Sequence, residues 1–236
     1  MNVNVEYDLT NTINIQLVGN SSSGKSCLIN RYFGEKRAFV SATSKTLIYN
    51  AYNHKYLPLK FYDSIGFEIG NSQQNNDLKN IVESYESYLE TKDTIHIVYF
   101  MISHDKLNDI ELGFINLIMN KKIPIFIIAN KFSEENYDTL RADFTDSING
   151  YVNFDQKKKN YLINHLYFVD LFADKCKELS KILKDTLKGF LESKNINEQI
   201  IRKFENYQQR ILNKEAHTVE NDNLLNKDEN NNKYRS

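Results

Sequence analysis

The sequence predicts an α/β domain on a mainly parallel sheet with helices on both faces, followed by a C-terminal helical extension. Three observations carry this expectation. Strand-like and helix-like periodicities alternate along most of the chain. The runs Ile95–Ile102 and Ile123–Ala129 are almost continuously apolar, the pattern of strands buried on both faces. Polar, glycine-containing motifs fall just after predicted strands, where ligands bind in this fold class.

Taken in order, Ile13 to Val18 alternates and is β-branched, a strand, and the segment Gly19 to Gly24 breaks it before an apolar-periodic helix over Lys25 to Tyr32. Leu47–Tyr52 and Leu57–Tyr62 read as a hairpin turning near Asn53-His54. Leu78, Ile81, Val82, Tyr85 and Leu89 keep helical spacing ahead of the first apolar run. Leu107, Ile110, Ile115 and Ile118 predict a helix between the two runs. A weaker helix over Tyr137–Ile148, a strand over Leu166–Leu171 and an amphipathic helix over Asp174–Leu191 complete the alternation. A further helix carries Ile200, Ile201, Phe204, Tyr207 and Ile211, and the chain after Lys214 is too poor in apolar residues to pack. The predicted organisation is an N-terminal extension over 1–10, the α/β domain over 11–193, a helix over 194–213 and a disordered polar tail over 214–236.

Composition narrows the function classes. Hydrophobic residues make up 41% and charged residues 26% of 236, which excludes wholesale disorder. Thirty basic against thirty-one acidic residues give a net charge of -1, so charge indicates neither nucleic acid nor an anionic membrane. No apolar run approaches a membrane span and the first residues lack a secretory core, so a cytoplasmic location is expected. Cys27 and Cys176 read as free thiols.

Gly19-Asn20-Ser21-Ser22-Ser23-Gly24-Lys25-Ser26 matches G-x-x-x-x-G-K-[ST] between a predicted strand and helix, the context that gives the motif its meaning. A chance match in a chain this long is on the order of one percent at average composition. A glycine-bounded loop lets backbone N–H groups and a helix N-terminus surround phosphate. Lys25 would then reach the β and γ phosphates, and the Ser26 hydroxyl would ligate Mg²⁺. Asp63-Ser64-Ile65-Gly66 ends the next strand, where Asp63 can hold Mg²⁺ through water and Gly66 can offer its N–H to a γ-phosphate. Asn130-Lys131 ends the strand Ile123–Ala129.

With these three motifs in order, the chain resembles the small GTPase (G-domain) class over about four-fifths of its length. Leu28-Ile29-Asn30 with Gly34-Glu35, Asp63-Ser64-Ile65-Gly66-Phe67-Glu68, and Ile95-His96-Ile97-Val98-Tyr99 before Ile123-Pro124-Ile125 are closer to its Era-like, translation-factor-related branch than to Ras. The resemblance implies GTP and GDP as ligands with Mg²⁺ as cofactor, and a switch that hydrolyses GTP to GDP. It also implies an effector or activating protein partner and a nucleotide-dependent dimer. By resemblance, the site comprises Gly19 to Ser26, Cys27, Asp63, Gly66, Asn130, Lys131 and Ser133 at the nucleotide. Lys25, Thr46 and Gly66 serve the reaction, and Ser26, Thr46 and Asp63 the metal. Thr43 is the rival of Thr46 as the switch threonine.

The sequence departs from the family's pattern at three places. Asn130-Lys131-Phe132-Ser133 lacks the aspartate that would accept from guanine N1–H and N2–H₂, and a site without that acceptor discriminates less against other bases. Glu134 substitutes if the loop shifts by one residue. Phe67 stands where Ras-type enzymes carry a water-orienting Gln, so slow turnover, or turnover completed by a partner, is expected. The last motif has no clear copy, Val169-Asp170-Leu171-Phe172-Ala173 being a positional match alone. The competing readings are a pseudo-GTPase interaction module and an ATP-using P-loop protein. Elsewhere His96 reads as a satisfied strand residue, His104-Asp105 as loop residues that could approach the nucleotide site, and Lys157-Lys158-Lys159 as a solvated loop.

Overall fold

The computed structural model describes residues 12–34, 38, 50–54, 57–63, 95–130, 134–171, 177–190, 201–202 and 204–206. The expected helix over Leu78–Leu89, the N-terminal extension and the polar tail lie outside these residues. The chain divides into two compact units, Met1–Asp174 and Lys175–Ser236.

The first unit is an α/β layer structure. Six strands, β1 (Ile13–Gly19), β2 (Asn50–Asn53), β3 (Leu59–Asp63), β4 (Ile97–Ile102), β5 (Ile125–Asn130) and β6 (Leu166–Val169), form one sheet in the order β2-β3-β1-β4-β5-β6. All pairings are parallel except the β2–β3 hairpin. The chain leaves β1 toward β3 and returns to its other side at β4, so a topological switch point lies at the carboxyl end of β1. Among the described residues four α-helices accompany the sheet in this unit: α1 (Lys25–Phe33), α2 (Asp109–Asn120), α3 (Tyr137–Gly150) and α4 (Gln156–Asn164).

The apolar runs behave as their pattern requires, every residue of β4 and β5 being buried. On one face Val18, Tyr62, Val98, Phe100, Ile127 and Phe168 join a core with Leu112 and Ile115 of α2, Phe144 and Ile148 of α3, and Leu162 of α4. Across the other, rings succeed one another from strand to strand: Phe33 of α1 with Phe61 at 6.2 Å, Phe61 with Tyr99 at 6.5 Å, Tyr99 with Phe126 at 5.9 Å and Phe126 with Tyr167 at 5.4 Å. Much of the chain's Tyr and Phe is therefore core.

Three expectations shift. The hairpin connection is longer than a turn at Asn53-His54, because His54 stays in it. Its Nδ1 accepts from Leu57 N–H at 3.1 Å and its Nε2 lies 3.0 Å from Tyr32 O. Lys157, Lys158 and Lys159 are helical, in α4, rather than in a loop. Asp155 caps that helix by accepting from Lys158 N–H at 2.8 Å. The basic run is partly engaged internally, Lys158 Nζ donating to Asn116 and Asn120 Oδ1 at 2.7 and 2.8 Å and Lys159 Nζ to Asn149 O at 2.6 Å. Finally, the strand over Leu166–Leu171 stops at Val169.

His96 is satisfied as expected, its Nδ1 accepting from Asn14 N–H at 2.9 Å, and burial lowers its pKa. Gln16 is the opposite case: it is 0% exposed beside Tyr62 and Val98, and among the described residues neither amide atom has a hydrogen-bond partner. A buried unsatisfied polar group is penalised by about 1–3 kcal/mol. Gln16→Met, of similar length and shape, is expected to raise stability in urea unfolding by about 1 kcal/mol or more. A loss instead would mean that the amide is held by internal water.

In the second unit, α5 (Lys177–Phe190) buries Leu179, Ile182, Leu183, Thr186 and Leu187, one helical face. Residues 201–202 and 204–206 are helical, and Phe204 is buried. Among the described residues no helix is long and apolar enough to cross a membrane.

Candidate functional site

The carboxyl ends of β1, β3 and β5 bring together residues far apart in sequence. Gly19 closes β1 with φ +150°, and Gly24 opens α1 with φ +100°. The loop between them carries a second left-handed residue, Ser22, at φ 64°. A side chain at Gly24 would place its Cβ 2.3 Å from Asn130 Nδ2, so a glycine here lets the end of β5 approach the loop.

Asn130 makes that approach specific. It is fully buried, and its Nδ2 donates to Ser23 O at 3.0 Å while its Oδ1 accepts from Leu171 N–H at 3.3 Å. The asparagine thus ties the loop after β1 to the chain after β6. It gives the segment Val169–Ala173, a positional match in the sequence, a contact at Leu171.

Lys25 lies inside the loop it follows. Its Nζ donates to Gly19 O and Asn20 O, both at 2.9 Å. Burial lowers its pKa from 10.5 to about 8, and the negative charge of Asp63 partly opposes that fall. Asp63 is 3% exposed and its pKa is raised by burial, against the opposing hydrogen bond from Ser26 and charge of Lys25. Ser26 Oγ donates to Asp63 Oδ2 at 2.9 Å.

This pair provides the test of whether a divalent cation suits the site. Asp63 Oδ1 is buried without a hydrogen-bond partner among the described residues, so one oxygen of the carboxylate is unused there. A hydroxyl and a carboxylate are hard oxygen donors of the kind Mg²⁺ takes, alongside waters and phosphate oxygens. The donor set fits Mg²⁺. Among the described residues no group of three or more His, Cys, Asp or Glu forms a metal cage.

The other expected site residues divide plainly. Asn20, Ser21, Ser22 and Ser23 form the loop, with Ser21 and Ser22 exposed and Ser23 buried. Cys27 lies on α1 and is half-buried. Thr46, Gly66, Lys131 and Ser133 lie outside the described residues, as do Thr43, Phe67 and Cys176. One contact had no signal in the sequence reading: Asn20 Nδ2 lies 3.4 Å from Oε1 of Glu111, a residue of α2.

The family model described as 50S ribosome-binding GTPase matches residues 14–131. GTPase Era of Lactobacillus delbrueckii is 27% identical over 123 residues, 51% of this chain and 39% of the relative. GTPase Der of Buchnera aphidicola is 28% identical over 135 residues, 52% of this chain and 27% of the relative. The chain therefore spans well under half the length of these relatives. Among solved structures, Era of Aquifex aeolicus bound to GDP.AlF4- has a TM-score of 0.53 at 21% identity, covering 77% of this chain and 57% of that one. Era with MgGDPNP and a segment of 16S ribosomal RNA has a TM-score of 0.54 at 20% identity, covering 78% and 58%. At such identity these structures establish the fold, an α/β G domain. The match across residues 14–131, half of the chain, makes it a member of the 50S ribosome-binding GTPase family, a P-loop GTPase of Era-like type.

Proposed function

We propose that the chain binds a guanine nucleotide with Mg²⁺ and hydrolyses GTP slowly to GDP, working as a molecular switch. The observation that carries this reading is the placement of Lys25. Its ammonium is parked on two loop carbonyls at the switch point of the sheet, near the Ser26–Asp63 pair. A phosphate chain entering the loop would exchange those carbonyls for anionic oxygens, a stronger charge-assisted contact.

In this reading Gly19 to Cys27 wrap the phosphates, Lys25 stabilises charge on the β and γ groups, and Ser26, Asp63 and Thr46 hold Mg²⁺. When bound, the cation neutralises charge developing on the phosphate oxygens. Water attacks the γ-phosphorus in line with the departing GDP oxygen, and Thr46 and Gly66 report the γ-phosphate to their loops. Asn130, Lys131 and Ser133 serve the base, with guanine preference weakened by the missing aspartate. Phe67 orients no water, so the intrinsic rate is low and a protein partner completes the site. We place the G domain over 11–193, with the helix over 194–213 and the tail over 214–236 appended, in the cytoplasm.

The test is competition of GTP, GDP and ATP against a fluorescent guanine nucleotide, together with multiple-turnover phosphate release. Displacement by GTP and GDP ahead of ATP, with slow release, is expected. Preference for ATP would assign an ATP-using protein instead. Binding with no turnover, alone and with cell extract, would make the chain a pseudo-GTPase module.

A further inference from the structure

Glu111 has more partners than a helix needs. It is 1% exposed at the third position of α2, and its Oε2 accepts from the backbone N–H of Asn108 at 3.1 Å. The Asn108 side chain returns the favour to the amides of Ile110 and Glu111 at 3.1 and 3.0 Å, closing a capping box. That arrangement occupies one oxygen of the carboxyl group. The same oxygen lies 2.9 Å from Nε2 of His104, and the other faces Nδ2 of Asn20, 3.4 Å away in the phosphate loop.

The polarity of this chain is determined by its middle member. A carboxylate offers only acceptors, so His104 presents Nε2–H and Asn20 presents its NH₂. Asn20 Oδ1 is consequently turned away, buried and without a partner among the described residues. The backbone carbonyl of the same Asn20 is one of the two that hold Lys25 Nζ. A continuous line therefore runs from a half-exposed imidazole through a buried carboxylate to the residue on which the lysine rests. The pKa of His104 is raised, chiefly by its bond to Glu111, and the charges facing it are those of Glu111 and Asp105.

We propose that Glu111, held in place by His104, is a positioning residue of the phosphate loop: it anchors the Asn20 side chain and so keeps the loop in the shape that receives phosphate, making nucleotide affinity depend on the connection between β4 and α2. The nucleotide consequence rests on the function proposed above; the anchoring does not. The capping oxygen would suffice for α2 alone, and the second oxygen spans 91 residues of sequence to reach the loop.

The test uses the full chain. Glu111→Gln retains the size and one acceptor for Asn108 N–H but must turn an NH₂ group toward His104 or Asn20. Without nucleotide, it should shift the Asn20 side-chain amide signals in ¹⁵N spectra. With fluorescent GDP, it should weaken affinity about three- to ten-fold, the span of one intramolecular hydrogen bond. Adding Asn20→Ala to it should cause no further loss, and His104→Gln should act in the same direction should Glu111→Gln fail to fold. Unmoved Asn20 signals, unchanged affinity with only a lower melting temperature, or additive losses for Glu111→Gln and Asn20→Ala would overturn the proposal. Wild-type chain that ignores GDP while Asn20 still responds to Glu111→Gln would leave the anchoring intact and overturn the nucleotide reading.

Discussion

Replacing Lys25 with alanine is expected to weaken nucleoside triphosphate binding by about 30-fold or more, because truncating one partner of a desolvated charge pair is penalised by about 2–5 kcal/mol. The loop is built around that ammonium, with Gly19 O and Asn20 O as its resting partners. Loss of binding should come without a matching loss of fold. The buried Lys25 pKa, lowered to about 8, means that folding already works against its charge at neutral pH. The sign follows from linkage. Between about 8 and 10.5 the unfolded chain holds a proton that the folded chain has released. The nucleotide-free protein therefore gains stability from this group as pH rises through that window, and below about 8 the gain is absent. Nucleotide affinity should move the other way, weakening above pH about 8 as the free protein loses the ammonium. Binding there should be accompanied by proton uptake, measured by calorimetry in buffers of different ionisation enthalpy. Unaltered affinity in Lys25→Ala, or proton release on binding, would contradict this account of the site.

How much of this was legible beforehand depended on whether the determining contacts were local. The loop from Gly19 to Ser26 was readable because a phosphate-binding turn constrains its own residues, two of them by backbone conformation. β4 and β5 were readable because strands buried on both faces have no polar side to show. α4 was not, since a helix whose buried residue is Leu162 alone carries almost no apolar period, and its one signal was the capping Asp155. Strand ends differ by one or two residues, as at Asp63 and Asn130, where the expected site residues are the last of their strands. Asn130 is legible by its motif, but its bonds to Ser23 and Leu171 depend on how four strands, β1, β4, β5 and β6, lie side by side. The Asn20–Glu111 contact had no local cause at all. Nothing in either residue's neighbourhood in sequence distinguishes a capping glutamate with a spare oxygen from one without.

The close pairing that creates the site also makes its first glycine irreplaceable. Gly19→Ala is expected to lower stability by about 2–6 kcal/mol, combining overpacking of about 1–3 with backbone strain of about 1–3. Gly19 pairs with Met101 across β1 and β4, and a Cβ on it would sit 2.1 Å from Met101 O and 3.0 Å from Met101 C. Those atoms are backbone in a central strand whose side chains are buried throughout, so no rotamer change can relieve the contact. The two strands must separate at the switch point, or the residue must abandon φ +150°, a region that side chains rarely enter. Either adjustment displaces the start of the loop that would wrap phosphate, so binding should fall along with stability. Gly150→Ala supplies the contrast, since it ends α3 and a Cβ there meets nothing within 4 Å. That change should be neutral or should stabilise by up to about 1 kcal/mol through the reduced freedom of the unfolded chain. Urea unfolding of the two variants against wild type measures both effects. A Gly19→Ala protein as stable as wild type would show that β1 and β4 do not approach as closely at this residue as the structure has them.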